Sequence, residues 1–137
     1  MTNLPEFSQI SDNLEFLDDW EDRYRYLIEL GQSLPPINED EKSETNKVHG
    51  CTSQVWLIVD DNEGKLHFCG DSDAMIVKGL VATLIALYSN LSASEITKID
   101  AIKILDNLNL REHLTSQRSN GLIAMVNRIQ DEAKSRL

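Results

Sequence analysis

Five consecutive apolar residues, Val55-Trp56-Leu57-Ile58-Val59, stand in the middle of a chain whose flanks carry apolar residues at helical spacing. Such a run, β-branched and aromatic-rich, predicts a strand covered on both faces. Asp60-Asp61-Asn62-Glu63-Gly64 is turn chemistry. Beyond it Leu66 and Phe68 alternate with His67 and Cys69 as a second strand. The pair predicts an antiparallel hairpin, with Lys47 to His49 expected to add a short third strand on the outer side. A hairpin alone is unstable in water and needs more strands or a packed helix.

The flanks supply helices. Leu14 and Leu17 share a face of a first short helix, and Asp18 or Asp19 offers the N-cap of a second. Trp20, Tyr24, Leu27 and Ile28 follow at helical spacing. Gly31 sits where a glycine stop is expected, and Pro35-Pro36 forbids continuation. Residues 38–46 read as an exposed polar loop. After the hairpin, Asp71 or Ser72 is expected to cap a helix with a wide apolar stripe, Ile76, Val77, Leu80, Val81, Leu84 and Leu87. Ser92 and Glu95 form a capping-box pattern, Asp100 begins another short helix, and a last helix starts near Ser116. Helices, then strands, then helices, with no strand–helix alternation, predict an α+β fold: a small antiparallel sheet of about three strands covered by helices. Residues 1–137 are expected to form one domain, as the length suggests.

Charge narrows the function. The chain carries 13 basic and 23 acidic residues, a net of −10. That argues against a duplex nucleic-acid binder, which needs lysine and arginine on phosphates, and against docking on an anionic membrane. Residues 1–50 hold 12 acids against 4 bases, whereas residues 101–137 are slightly basic. The acidic front is either a set of solvated helix faces or a docking face for a partner protein. No apolar run is long enough to span a bilayer. Residues 1–10 contain Glu6 and no basic cluster before an apolar run, unlike a signal peptide. A cytoplasmic, reducing location is therefore expected, in which two cysteines are thiols rather than a structural disulfide.

Phosphate-binding glycine motifs and nucleophile elbows are absent. The acids are scattered, which leaves the cysteines and histidines. Cys51 lies between Gly50 and Thr52, just before the apolar strand, and is expected at a bend near the sheet edge. Glycine beside it frees the backbone, and positive charge from Lys47, His49 or Arg118 would favour its thiolate. The bland alternative is a small buried hydrophobe. Cys69 ends the second strand, and a buried, inert thiol is expected there. His49-x-Cys51 and His67-x-Cys69 could together make a four-ligand metal site, although the spacing is not that of a zinc finger. His113 is expected to be structural.

The stretch Val48-His49-Gly50-Cys51-Thr52-Ser53-Gln54-Val55-Trp56 resembles the signature loop and strand of the SufE sulfur acceptors. Trp20 to Gly31 with Leu34-Pro35 is similar to the family's N-terminal helix. Gly70 to Ala74 with Ile76 to Leu80 is similar to the start of its central helix, and His113-Leu114-Thr115 with Arg118, Asn120, Gly121, Leu122 and Met125 to its final helix. The resemblance implies a SufE/IscU-like fold and a role in iron–sulfur cluster biogenesis. It implies that Cys51 accepts sulfane sulfur from a SufS-type cysteine desulfurase, stimulates that enzyme, and passes the sulfur to a SufB-containing scaffold. Pyridoxal phosphate belongs to the desulfurase, and no cofactor is expected here. The resemblance further implies that Cys51 is sheltered in an apolar cavity and swings out on docking, with Gly50 as hinge and His49, Asp73 and Arg118 as supporting residues. Cys69 departs from the family pattern. It leaves open a resolving thiol, a disulfide with Cys51, or a metal- or cluster-binding scaffold built on Cys51, Cys69, His49 and His67.

Overall fold

The computed structural model describes residues 4–112 and 114–137. Two N-terminal helices, α1 (Phe7–Phe16) and α2 (Trp20–Gln32), precede the hairpin β1 (Val55–Asn62) and β2 (Lys65–Ser72). Then come α3 (Met75–Tyr88), β3 (Leu91–Ser92), α4 (Ala93–Thr97), α5 (Ala101–Asn107) and α6 (Ser116–Lys134). The sheet is antiparallel in the order β1-β2-β3. It is the small helix-covered sheet of an α+β fold.

The hairpin forms where the period changes. Val55 pairs with Ser72 at one end and Asn62 with Lys65 at the other. The reversal is tight: Glu63 and Gly64 both take positive φ, 54° and 84°, the pattern of a two-residue turn that matches strand twist. Asp61 supports it by accepting the Gly64 N–H at 3.0 Å. In β2 burial alternates, with Leu66, Phe68, Gly70 and Ser72 inward. Trp56, on the other face, is only 8% exposed. Lys42 from the preceding loop lies over its ring, 5.4 Å from the centroid.

Three details of the strands and helices differ from expectation. The third strand is Leu91–Ser92, on the β2 side; Lys47 to His49 contributes a single antiparallel bridge, Lys47 to Trp56, on the outer edge of β1. Neither Asp71 nor Ser72 is the N-cap of α3, because pairing with β1 holds both in β2. Ala74 occupies the cap position with no side-chain cap. Ser72 Oγ instead accepts the Ala74 N–H at 3.2 Å, and Asp71 pairs with Lys78 at 3.3 Å and Lys42 at 3.5 Å. Gly31 is not a stop, since α2 continues through Gln32. A Cβ on Gly31 would come within 2.9 Å of the Gly79 backbone, and one on Gly79 would overlap the Leu27 carbonyl. The two glycines let α2 and α3 cross backbone to backbone.

Other expectations hold. Asp19 caps α2 by accepting the Glu21 N–H at 2.9 Å. Ser92 and Glu95 form the capping box of α4, and Asp100 caps α5. Thr115 caps α6 by accepting the Arg118 N–H. One core joins Leu27 and Leu30 of α2, Val55 and Phe68 of the hairpin, Leu80, Val81 and Leu84 of α3, and Leu122, Met125 and Ile129 of α6. At roughly 1.5–3 kcal/mol per fully buried aliphatic side chain, this core is the main stabilising term. Gln130 of α6 reaches across it, donating to the Ile96 carbonyl at 2.9 Å. No helix among the described residues is long and apolar enough to cross a membrane.

Candidate functional site

Cys51 lies in the loop between the Lys47 bridge and β1, half-buried against the start of α6. Its Sγ lies 3.5 Å from the Gly121 carbonyl, to which the thiol donates. A Cβ on Gly121 would lie in van der Waals contact with Sγ, at 3.4 Å. Gly50 turns the chain with φ +95°, a conformation costly for any residue with a side chain. A Cβ at Gly50 would also press on Ala124 at 3.3 Å.

The loop is fastened at both ends. On the upstream side Arg128 of α6 donates to the Lys47 carbonyl at 3.0 Å and the Thr45 carbonyl at 2.8 Å, while its Nε pairs with Glu132 at 3.2 Å. Downstream, Asp73 accepts the Gln54 N–H at 3.0 Å, and the Asp73 N–H donates to the Gln54 carbonyl at 3.2 Å. Asp73 is thus a clasp between the end of the loop and the start of α3.

A cavity of about 210 Å³ opens beside the thiol. Its buried floor is Val77, Gly121 and Met125, and its more exposed walls are Thr52, Ser53, Thr115, Gln117 and Arg118. The expected apolar shelter is therefore apolar only at its base. Burial pushes the Cys51 thiol pKa above its ordinary value, and no charged neighbour offsets that effect. The expected electrostatic help does not materialise around the seated thiol. His49 is exposed beside Glu44, at 3.8 Å, and does not line the cavity. Lys47 contributes its carbonyl to the Arg128 fastening. Arg118 alone of the expected cations lines the cavity.

Cys69 is exposed, not buried as expected. It stands opposite Ile58 in the hairpin, on the face away from the inward Leu66 and Phe68. Burial of the sulfur raises its pKa, and the charges of Asp60 and Glu41 add to the rise. Both cysteines are free. Among the described residues no group of three or more His, Cys, Asp or Glu side chains could hold a metal ion. His49, Cys51, His67 and Cys69 do not converge, because the Cys51 loop packs on α6 while His67 and Cys69 stay on the sheet. His113 lies outside the described residues.

Arg128 was not among the residues singled out from sequence. Its partners are main-chain carbonyls far away in the chain, which leave no mark in residue spacing. Met125 is legible from the hydrophobic period of the last helix, with Leu122, Val126 and Ile129, whereas Gly121 is legible only through the resemblance of that helix.

Taken together, a hairpin under helices, with one half-buried thiol on a doubly fastened loop that turns at a glycine, defines an α+β protein with a thiol beside a cavity. The chain belongs to the SufE family, described as an Fe-S metabolism associated domain, which matches residues 8–133. It is 52% identical over 141 residues to an uncharacterized SufE-like protein of Rhizobium meliloti, covering 100% of this chain and 99% of that one. It is 53% identical over 137 residues to another from Rhizobium etli, covering 97% and 93%. The solution structure of a hypothetical protein from Thermus thermophilus shares the fold, with a TM-score of 0.77, 23% identity, and 98% and 97% of the two chains covered.

Proposed function

We propose that this chain is a sulfur carrier in which Cys51 takes sulfane sulfur from a SufS-type cysteine desulfurase and delivers it to a SufB-containing scaffold. Family membership supports a role in iron–sulfur metabolism and sulfur transfer. The observation that carries the finer reading is the placement of Cys51: a free thiol in a loop that turns at Gly50, beside a cavity. The Cys51 thiolate attacks the outer sulfur of the desulfurase persulfide. A new S–S bond forms to Cys51, the old one breaks, and the desulfurase cysteine leaves as thiolate. The reaction is an exchange with no net oxidation, and clearing the persulfide frees the desulfurase for its next turnover.

Seated, the thiol is mostly protonated, because burial disfavours the charge. Docking lifts the loop about Gly50, exposes Cys51 and restores its ordinary acidity. Arg118 steadies the displaced or sulfur-loaded group, and Asp73 holds the end of the loop until docking. His49 flanks the hinge. On this reading the carrier works in the cytoplasm, where the second thiol, Cys69, stays reduced.

The test is the intact mass of the chain after incubation with a cysteine desulfurase and cysteine, without reductant, followed by peptide mapping. Gain of one or more sulfur atoms on Cys51, absent in Cys51→Ser, supports the reading. Undiminished stimulation of the desulfurase by Cys51→Ser would instead mean activation without covalent sulfur.

A further inference from the structure

The cavity is larger than one added sulfur atom needs. A persulfide adds one sulfur atom, comparable in bulk to a water molecule of about 30 Å³, whereas the cavity measures about 210 Å³. Its charge is equally out of keeping with the rest of the molecule. In a chain of net charge −10 with 23 acidic residues, no carboxylate is found among the described residues that line it. Arg118 is there, half-buried, and among the described residues its guanidinium has no hydrogen bond or ion pair. Ser53, Thr115 and Gln117 add hydroxyl and amide groups beside it. An arginine left without a partner in so acidic a protein is a vacant recognition group, and its planar fork fits a carboxylate. The floor of Val77 and Met125 suits a short apolar stem between that carboxylate and the sulfur of Cys51.

We propose that this cavity binds a small thiol carrying a carboxylate, with the carboxylate on Arg118 and the thiol facing Cys51, and that such a molecule discharges the persulfide directly. This rests on the carrier reading and gives the loaded sulfur a second exit besides the protein scaffold. The incoming thiolate attacks the outer sulfur of the Cys51 persulfide. A sulfur–sulfur bond forms to the small molecule, the bond to Cys51 breaks, and the persulfide proton ends on the Cys51 sulfur. The products are the Cys51 thiol and a small-molecule persulfide anion, and no oxidant or reductant is consumed.

The experiment uses the full chain with Cys69→Ser, so that one thiol is followed. Cys51 is converted to an aromatic mixed disulfide and then to the persulfide with inorganic sulfide, so loading does not depend on any desulfurase. Discharge by mercaptopropionate and by its neutral amide is timed by intact mass, and each rate is expressed per thiolate. The carboxylate probe should react roughly tenfold faster, the effect of one partly exposed charge-assisted hydrogen bond. In Arg118→Gln the ratio of the two rates should fall to about one, whatever happens to the absolute rates; a matching melting curve confirms the fold. Equal rates in the parent protein, or a preference that survives Arg118→Gln, would overturn the proposal. Loading of Cys51 by a desulfurase is measured separately. Success there with no carboxylate preference leaves the carrier reading intact and removes only the cavity ligand, whereas failure there removes the carrier reading whatever the probes show.

Discussion

Burial around Cys51 opposes thiolate formation, and that sets a sign for its reactivity. An exposed cysteine begins to level off in alkylation rate near its reference pKa of 9.0. Cys51 in the isolated protein should react slowly at neutral pH, and its rate should still be climbing above that pH. Addition of a desulfurase that unseats the loop should move the midpoint down. Iodoacetamide labelling across pH, read by peptide mass, checks both; a midpoint at or below the reference in the isolated protein would contradict the seated geometry. Cys51 and Gly50 were legible as residues because a glycine–cysteine pair before a strand is unusual and because the surrounding motif is specific. The environment of Cys51 was not, since Gly121 comes close only after α6 is laid along the loop. Cys69 was misjudged for a related reason. Strand alternation puts it on the face away from Phe68, but how far that face is covered depends on segments remote in the chain, which residue spacing does not show.

Among the elements, α6 serves two purposes: its first turns carry the cavity, and Arg128 further along fastens the upstream end of the loop. Arg128→Ala releases two carbonyl acceptors that are partly exposed, so a loss of about 1–2 kcal/mol in stability is expected. Amide exchange in residues 45–50 should accelerate more than in β2, and Cys51 alkylation should quicken severalfold. Hydrogen-exchange mass spectrometry reads the first effect, and unchanged protection there would show that the fastening is incidental. Arg128→Lys should rescue only in part, because an ammonium cannot span both carbonyls as the guanidinium fork does. Most elements were readable from hydrophobic period and caps, as Asp19, Ser92 and Asp100 show. Failures arose where two distant segments decide the outcome. Gly31 looks like any helix-ending glycine until Gly79 is set against it. Asp71 and Ser72 look like caps until the far end of the hairpin pairs with them.

At the scale of the whole molecule, charge is unevenly distributed. Phe16, which is 85% exposed, stands in the chain between the acids Asp12 and Glu15 before it and Asp18, Asp19, Glu21 and Asp22 after it. Met75, 67% exposed at the start of α3, lies two residues beyond the Asp73 clasp. If the acidic front steers the desulfurase complex, raising salt should lower the association rate more than it raises the dissociation rate. Stopped-flow or surface binding at two ionic strengths measures this, and a salt-independent association rate would exclude steering. The overall α+β order was legible, since period changes survive without tertiary information. The sheet order was not, because two residues, Leu91 and Ser92, complete it.

The two fastenings also fix a length. Cys51 is joined to the clasped Gln54 through Thr52 and Ser53 alone. A fully stretched chain over that span covers about 10 Å. With Asp73 still holding Gln54, the Cys51 Cα therefore travels no further than that from the Gln54 Cα, and the sulfur beyond it only by the length of its own side chain, like a plumb line cut short. A partner whose persulfide lies at the bottom of a deeper shaft is served only after the clasp opens, so the depth of the partner's channel decides whether Asp73 lets go.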